Sequence, residues 1–150
     1  MKKGVTLIEL LIAISILAIV GAITMTVFPS LNKTQALHND TQAVIGMIQQ
    51  ARGQTLSSKN ASAYGVHLEA NAVTLFTGSV YTAGAAGNQV HDLQTINAIT
   101  SIALFGGGSD LIFNLLTGET SQDGTVTLYS AATEKSRIIR IYKTGLVESS

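Results

Sequence analysis

The sequence contains no cysteine, no tryptophan and a single proline, Pro29, among its 150 residues. The absence of cysteine excludes a disulfide framework, a thiolate zinc site and a cysteine nucleophile. Charged residues are also few, at 12%, and nine Lys/Arg balance nine Asp/Glu. A neutral chain lacks the basic excess that nucleic-acid-binding proteins usually carry. The length is sufficient for one domain with its own core.

One long hydrophobic run lies near the amino terminus. From Val5 to Phe28, 18 of 24 residues are hydrophobic, and Glu9 is the only charged one. As a helix, this run would reach about 36 Å, which exceeds a hydrocarbon core of about 30 Å. One carboxylate costs about 3 kcal/mol on an insertion scale, and the apolar side chains outweigh that cost. We therefore expect a single membrane-spanning helix, and Lys2 and Lys3 before it orient the amino terminus toward the cytoplasm.

Two simpler interpretations of this run compete with a functional helix. A secretory signal peptide has the same basic start, and Val20-Gly21-Ala22 could serve as its cleavage site. Its apolar region would be only about 7 to 15 residues long and would not tolerate an acid near its start. A plain membrane anchor explains the length and the orientation but leaves Gly4 and Glu9 unexplained. A carboxylate inside a membrane segment is by default a functional group with a partner.

The ten residues from Lys2 to Leu11, KKGVTLIELL, resemble the leader and mature start of type IV pilins and type II secretion pseudopilins. The resemblance implies that a prepilin peptidase cuts after Gly4 and methylates the new amine of Val5, which stands where the family usually has Phe. In the family, the carboxylate at the position of Glu9 is thought to meet the amine of a neighbouring subunit in the filament core. Removal of one partner from such a buried pair costs about 3 to 5 kcal/mol.

The remainder of the chain predicts an α+β architecture. Pro29 indicates a kink or a break, after which Ser30 could cap a restarted helix. Helical spacing of apolar residues follows, at Leu37, Val44, Ile48 and Ala51. From Tyr64 onward, six or seven short runs of alternating apolar residues predict an antiparallel sheet or β-sandwich, covered by the amphipathic half of the helix. Residues 77–93 are expected to form a polar loop.

These patterns divide the chain into four parts. We expect a leader peptide at 1–4, a transmembrane and filament-core helix at 5–28, an amphipathic helical half at 29–58 and a β-rich head at 59–150. The end of the helix and short segments of the head resemble the domain of H-type minor pseudopilins and FimT-type minor pilins. The helix ends in Ala51-Arg52, a hairpin follows, and the head segments are Leu111–Asn114 with Gly118, Thr125–Leu128, and Arg137–Ile141 with Gly145-Leu146-Val147.

The resemblance implies a structural minor pilin or pseudopilin of a type IV pilus or a type II secretion system. Its helix would hold it in the inner membrane, with the amino terminus cytoplasmic and the head periplasmic or extracellular, before it enters a filament. The implied partners are other pilins or pseudopilins, the prepilin peptidase, the inner-membrane assembly platform and membrane lipid. A principal pilus subunit and a membrane-tethered binding domain of unknown ligand remain as alternatives.

We find no sequence motif of an enzyme or a cofactor site. Nucleophile elbows, phosphate-binding loops and zinc-protease motifs are all missing, so we expect a protein without enzymatic activity, cofactor or metal. The three histidines, His38, His67 and His91, are far apart and lack ligand spacing, and we interpret them as surface residues.

Four basic residues occur within nine positions near the carboxyl terminus, namely Lys135, Arg137, Arg140 and Lys143. FimT-type minor pilins are associated with DNA uptake through a basic carboxy-terminal region, so contact with DNA or a partner is one interpretation. The other is a solvated strand edge protected by charge. In a strand, Arg137 and Arg140 would point to opposite faces, which weakens a single basic patch.

Overall fold

The computed structural model describes the backbone of residues 4–150, together with the side chains of that range except those of residues 24–31 and Lys59. One long helix is followed by a 3-10 turn and eight strands. The elements are α1 (Leu7–Leu56), the turn Lys59–Ala61, β1 (Tyr64–Leu68), β2 (Ala72–Thr77), β3 (Gln89–Asp92), β4 (Asn97–Leu104), β5 (Asp110–Ile112), β6 (Gly124–Ser130), β7 (Lys135–Ile141) and β8 (Val147–Ser149). The predicted α+β fold with a long amino-terminal helix is therefore confirmed.

Helix α1 begins at a capped end and continues across Pro29. The side-chain oxygen of Thr6, the N-cap, accepts a hydrogen bond from the backbone N–H of Glu9 at 3.3 Å. This is half of the arrangement that Thr-x-x-Glu sequences favour at helix starts. The helix is assigned as one element of 50 residues that ends at Leu56. The side chains of Pro29 and Ser30, where a kink or a new cap was expected, lie outside the described set.

The first part of α1, as far as Ile23, carries its large apolar side chains on the surface. Its large apolar side chains from Leu7 to Ile23 are all exposed, by 48% to 79%. Among the residues that the structure describes, no helix is long and apolar enough to cross a membrane.

The second part of α1 packs on the head through one stripe. Leu37, Val44, Ile48 and Ala51 are buried, as their helical spacing predicts, and Thr41 and Thr55 complete the stripe at intervals of three and four residues. The hydroxyl groups of both threonines donate to backbone carbonyls one turn earlier. The stripe can therefore bury two polar side chains without leaving an unsatisfied hydroxyl.

The head consists of two four-stranded sheets in which every strand pair is antiparallel. One sheet has the order β3-β2-β1-β5 and the other β4-β6-β7-β8. Helix α1 contacts strands of both sheets, and all three layers contribute to one core. Its fully buried side chains include Ile48, Val66, Leu75, Phe113, Leu128 and Ile139.

Two strands differ from the sequence prediction. The segment 77–93 contains the edge strand β3, which pairs with β2 from Ala72↔Asp92 to Leu75↔Gln89. The polar-loop prediction was wrong here because both faces of β3 are largely exposed, so no alternation of apolar residues marks it. The alternation of Leu111, Phe113 and Leu115 predicts one strand, but β5 stops at Ile112 and Leu115 is 43% exposed.

Candidate functional site

The amino-terminal segment presents the predicted cleavage site on the surface. Gly4 and Val5 precede the helix and are exposed, and an added Cβ at Gly4 would meet no atom within 4 Å. The peptide bond between them is thus reachable by another protein. Residues 1–3, which include Lys2 and Lys3 of the predicted leader, lie outside the described residues.

Glu9 lies in the first turn of α1 and is exposed. An acid at this end of a helix interacts favourably with the unpaired N–H groups and the helix dipole. The ion pairs within the described part of the chain all involve histidine, so Glu9 has no cationic partner there. Its neighbours in sequence, Ile8 and Leu10, are apolar and exposed. This surface lets the acid meet a positive group of another molecule.

The four carboxy-terminal basic residues separate into two pairs. Lys135, Ser136 and Arg137 of β7 line a cavity of about 320 Å³, together with Thr34 and Leu37 of α1 and with Thr133 of the β6–β7 turn. Arg140 and Lys143 line a different cleft of about 720 Å³, which also includes Tyr142 and Leu146. The four cations therefore do not form one patch. This agrees with the strand alternation, which places Arg137 and Arg140 on opposite faces.

The cleft that holds Arg140 and Lys143 is mainly apolar. Lys143 Nζ lies 5.8 Å from the centre of the exposed Phe105 ring, within the range of a cation–π contact. The Tyr142 hydroxyl donates a hydrogen bond to Glu148 Oε1. This hydrogen bond, with smaller contributions from desolvation and the negative charge of Glu148, raises the pKa of Tyr142 above 10.0, while Arg140 opposes the shift. Tyr142 therefore stays neutral at physiological pH.

His67 is not the simple surface residue that the sequence suggests. Its Nδ1 lies 2.5 Å from Asp110 Oδ1, its Nε2 lies 3.5 Å from Glu69 Oε1, and its ring stacks on Tyr81 at 3.8 Å. These contacts leave the side chain 18% exposed. Asp110 is 43 positions away in sequence, so no local pattern could reveal the pair.

The other two histidines differ in their surroundings. His91 Nε2 lies 4.0 Å from Oδ1 of the buried Asp40, whereas His38 is exposed on α1. The described residues contain no group of three or more His, Cys, Asp or Glu side chains that could hold a metal ion.

Comparison with known protein families adds to this geometry at one end of the chain. Residues 1–25 match the family model of the prokaryotic N-terminal methylation motif. The chain carries a prepilin methylation motif. The motif includes the exposed Gly4–Val5 bond, Glu9 and most of the unpacked part of α1, and it supports a type IV pilin-like protein. No curated protein and no solved structure matches the chain significantly.

Proposed function

We propose that this protein is a structural, non-enzymatic minor pilin or pseudopilin of a type IV pilus or type II secretion system. The observation that carries the proposal is the methylation motif on a helix whose large apolar side chains from Leu7 to Ile23 are all exposed. Such a surface requires a cover of lipid or of other subunits. The exposed part of the helix would attach the well-packed head to the membrane or to the filament.

The proposed processing follows from the accessible amino-terminal segment. A prepilin peptidase cuts after Gly4, removes the leader 1–4 and methylates the amine of Val5. Residues 5–28 then hold the subunit in the inner membrane, with the head 59–150 on the far side, and residues 29–58 join the two. On entry into a filament, neighbouring helices replace lipid around the apolar side chains, and the assembly platform drives the exchange.

Glu9 has a defined role in this proposal. The cut creates a positive amine at Val5. The exposed carboxylate of Glu9 forms an ion pair with the amine of a neighbouring subunit. In a filament core of low dielectric, an unpaired charge of either sign is costly. The pair therefore fixes the axial register between subunits, because other registers leave both charges unpaired.

The minor-subunit assignment rests on the resemblance of the head segments to H-type pseudopilins and FimT-type minor pilins. The basic residues line two different cavities in pairs, which weakens the case for a DNA-binding role of a single basic surface. A principal pilus subunit remains the alternative of the same class, and a membrane-tethered binding domain is the alternative of another.

The proposal is tested by the fate of the chain in its own cells. Intact-mass analysis of membrane-extracted protein should show a chain that starts at Val5, and a chain that starts after Ala22 would show secretory signal cleavage instead. Glu9→Leu should then leave the membrane level unchanged and deplete the protein from sheared filaments. The substitution removes a membrane-insertion cost of about 3 kcal/mol. It also leaves the neighbour's amine unpaired in the filament core, which destabilises the assembled state by about 3 to 5 kcal/mol.

Ser15→Leu is the matched control for this variant. Ser15 also lies in the exposed apolar part of α1, and its hydroxyl donates to the Leu11 carbonyl. Its replacement raises the hydrophobicity of the same segment but leaves Glu9 in place. Normal filament recovery of Ser15→Leu with loss of Glu9→Leu supports the charge pair, and equal recovery of both refutes it.

A further inference from the structure

The cavity lined by Lys135 and Arg137 lies at the end of the head from which the apolar part of α1 emerges. One wall is Thr34 and Leu37, near the start of the packed half of the helix. Thr34 is six residues beyond Phe28, so at the rise of an α-helix it lies about 9 Å from the end of the apolar run. The polar interface of a bilayer begins near the end of such an apolar run and is about 5 to 8 Å thick on each side, so Thr34 lies close to its outer edge.

The cations of this cavity are available to a ligand. Lys135 and Arg137 are exposed and make no ion pair with any residue whose side chain the structure describes. Glu134 is adjacent to Lys135 in the chain, but it does not line the cavity. Asp40, the nearest acid along the packed face of α1, accepts hydrogen bonds from the Gln94 backbone N–H and the Asn97 side chain. Neither carboxylate therefore occupies the place of an anionic ligand.

Hydroxyl groups add hydrogen-bonding capacity beside the two cations. Ser136 and Thr133 line the cavity, and the buried hydroxyl of Thr133 has no hydrogen-bond partner among the residues that the structure describes. Rotation of that side chain would turn the unsatisfied donor toward an occupant. A Lys, an Arg and hydroxyl donors around a polar cavity are the groups that proteins use to bind phosphate oxygens.

We propose that this cavity binds the phosphate group of an anionic phospholipid headgroup while the subunit resides in the membrane. The inference rests on the proposed function, since that function brings the cavity to the membrane surface. A nucleic acid is less suited to this site. The chain without residues 1–4 has seven Lys/Arg against nine Asp/Glu, and the nearby cations Arg140 and Lys143 line another cleft. Headgroup binding would hold the head at a fixed height and orientation before assembly.

The chain offers a matched control for this site. Lys135→Gln with Arg137→Gln removes two cations from the cavity, and Arg140→Gln with Lys143→Gln removes two from the cleft at the other end of the head. The Lys143 carbonyl accepts a hydrogen bond from the Thr120 backbone N–H, two residues from Gly118, whose carbonyl accepts one from Arg52. Arg140 follows Arg137 by three residues of β7, or about 10 Å of strand, and points to the opposite face. This spacing exceeds the Debye length of about 8 Å at physiological salt.

The test uses the full mature chain in non-ionic detergent, with phosphatidylglycerol added to the micelles and retained lipid counted by native mass spectrometry. Each cation near an anionic lipid surface contributes about fivefold in affinity, so the Lys135/Arg137 double variant should bind phosphatidylglycerol about thirtyfold more weakly. The Arg140/Lys143 variant should bind it as the wild type does. Equal loss in both variants, or no loss in the first, overturns the proposal. Circular dichroism checks that both variants remain folded.

Further arms of the experiment distinguish the sources of the phosphate group. Phosphatidylcholine and inorganic phosphate should both bind more weakly than phosphatidylglycerol. If inorganic phosphate binds as tightly as the lipid, the cavity is a site for a soluble anion. If the affinity for a single-stranded oligonucleotide depends on Lys135 and Arg137 and the affinity for the lipid does not, the cavity is a nucleic-acid site. Either result overturns the lipid assignment. Leader cleavage and filament recovery are read separately on the same variants, so failure of the proposed function is detected independently.

Discussion

Gly145→Ala is expected to destabilise the head strongly because of a close approach between two turns and the helix. Gly145 has φ +76°, and an added Cβ would lie 2.1 Å from the Gly118 carbonyl oxygen and 2.7 Å from Arg52 Nε. That carbonyl accepts a hydrogen bond from Arg52 Nε at 3.1 Å. An alanine methyl group therefore cannot fit unless the β7–β8 turn moves away from Gly118 and this hydrogen bond is lost.

The expected cost follows from two contributions. A non-glycine residue in the left-handed region costs about 1 kcal/mol. Loss of a partly buried hydrogen bond from a charged donor costs about 1.5 to 3 kcal/mol. We therefore expect Gly145→Ala to lower the free energy of unfolding by about 3 kcal/mol or more. Gly107→Ala is the control, because Gly107 has nearly the same φ, +75°, and its added Cβ would meet nothing within 4 Å. It should lose about 1 kcal/mol.

Urea unfolding of the mature chain in a mild non-ionic detergent measures both variants. The chain has no tryptophan and four tyrosines, of which Tyr64 is buried in the core, so tyrosine fluorescence reports on the head. A difference of about 2 kcal/mol between the variants isolates the contact among Gly145, Gly118 and Arg52. Equal destabilisation by Gly145→Ala and Gly107→Ala would refute this explanation, because backbone conformation alone would then account for the loss.

Three further predictions concern other parts of the molecule. Asp40→Ala should lower the free energy of unfolding by about 2 to 3 kcal/mol, because it leaves the buried Asn97 amide without an acceptor; a loss under about 0.5 kcal/mol in urea unfolding contradicts this. In an ultraviolet titration of tyrosinate, the pKa of Tyr142 should lie above its ordinary value of 10.0, and Glu148→Ala should return it toward that value. Since the pKa is raised in the folded state, the associated stability is present below pH 10 and is lost as the pH rises through the folded value. A chain that starts at Ser30 should be soluble, monomeric and β-rich by circular dichroism and sedimentation, and partitioning into vesicles would contradict the boundary.

The sequence predicted those parts of the fold whose residues repeat with one regular spacing. The buried stripe of α1 and strand β1 were both visible in this way, because apolar residues alternate with other residues at the spacing of a helix face or a strand face. Strand β3 gave no such signal, since neither face is buried along its length. Strand β8 has only three residues, too few to define an alternation.

The candidate site divides in the same manner. The order Gly4, Val5, Glu9 is a local pattern, and the sequence alone identifies it. The pairing of Lys135 and Arg137 with Thr34 depends on how the β6–β7 hairpin lies against the helix, and the two are about a hundred residues apart. The same holds for His67 with Asp110 and for Arg52 with Gly118. Contacts between distant segments depend on the packing of the whole core, which no short window of sequence encodes.

The unbroken packing of α1 on both sheets has a mechanical consequence. A tensile force applied through the helix axis would act parallel to the buried stripe from Leu37 to Thr55. The packed side chains along the stripe would then resist together in shear instead of separating one after another. Forced unfolding is governed by the unfolding rate, so this geometry gives a head without any cross-link a way to withstand pulling through its own helix.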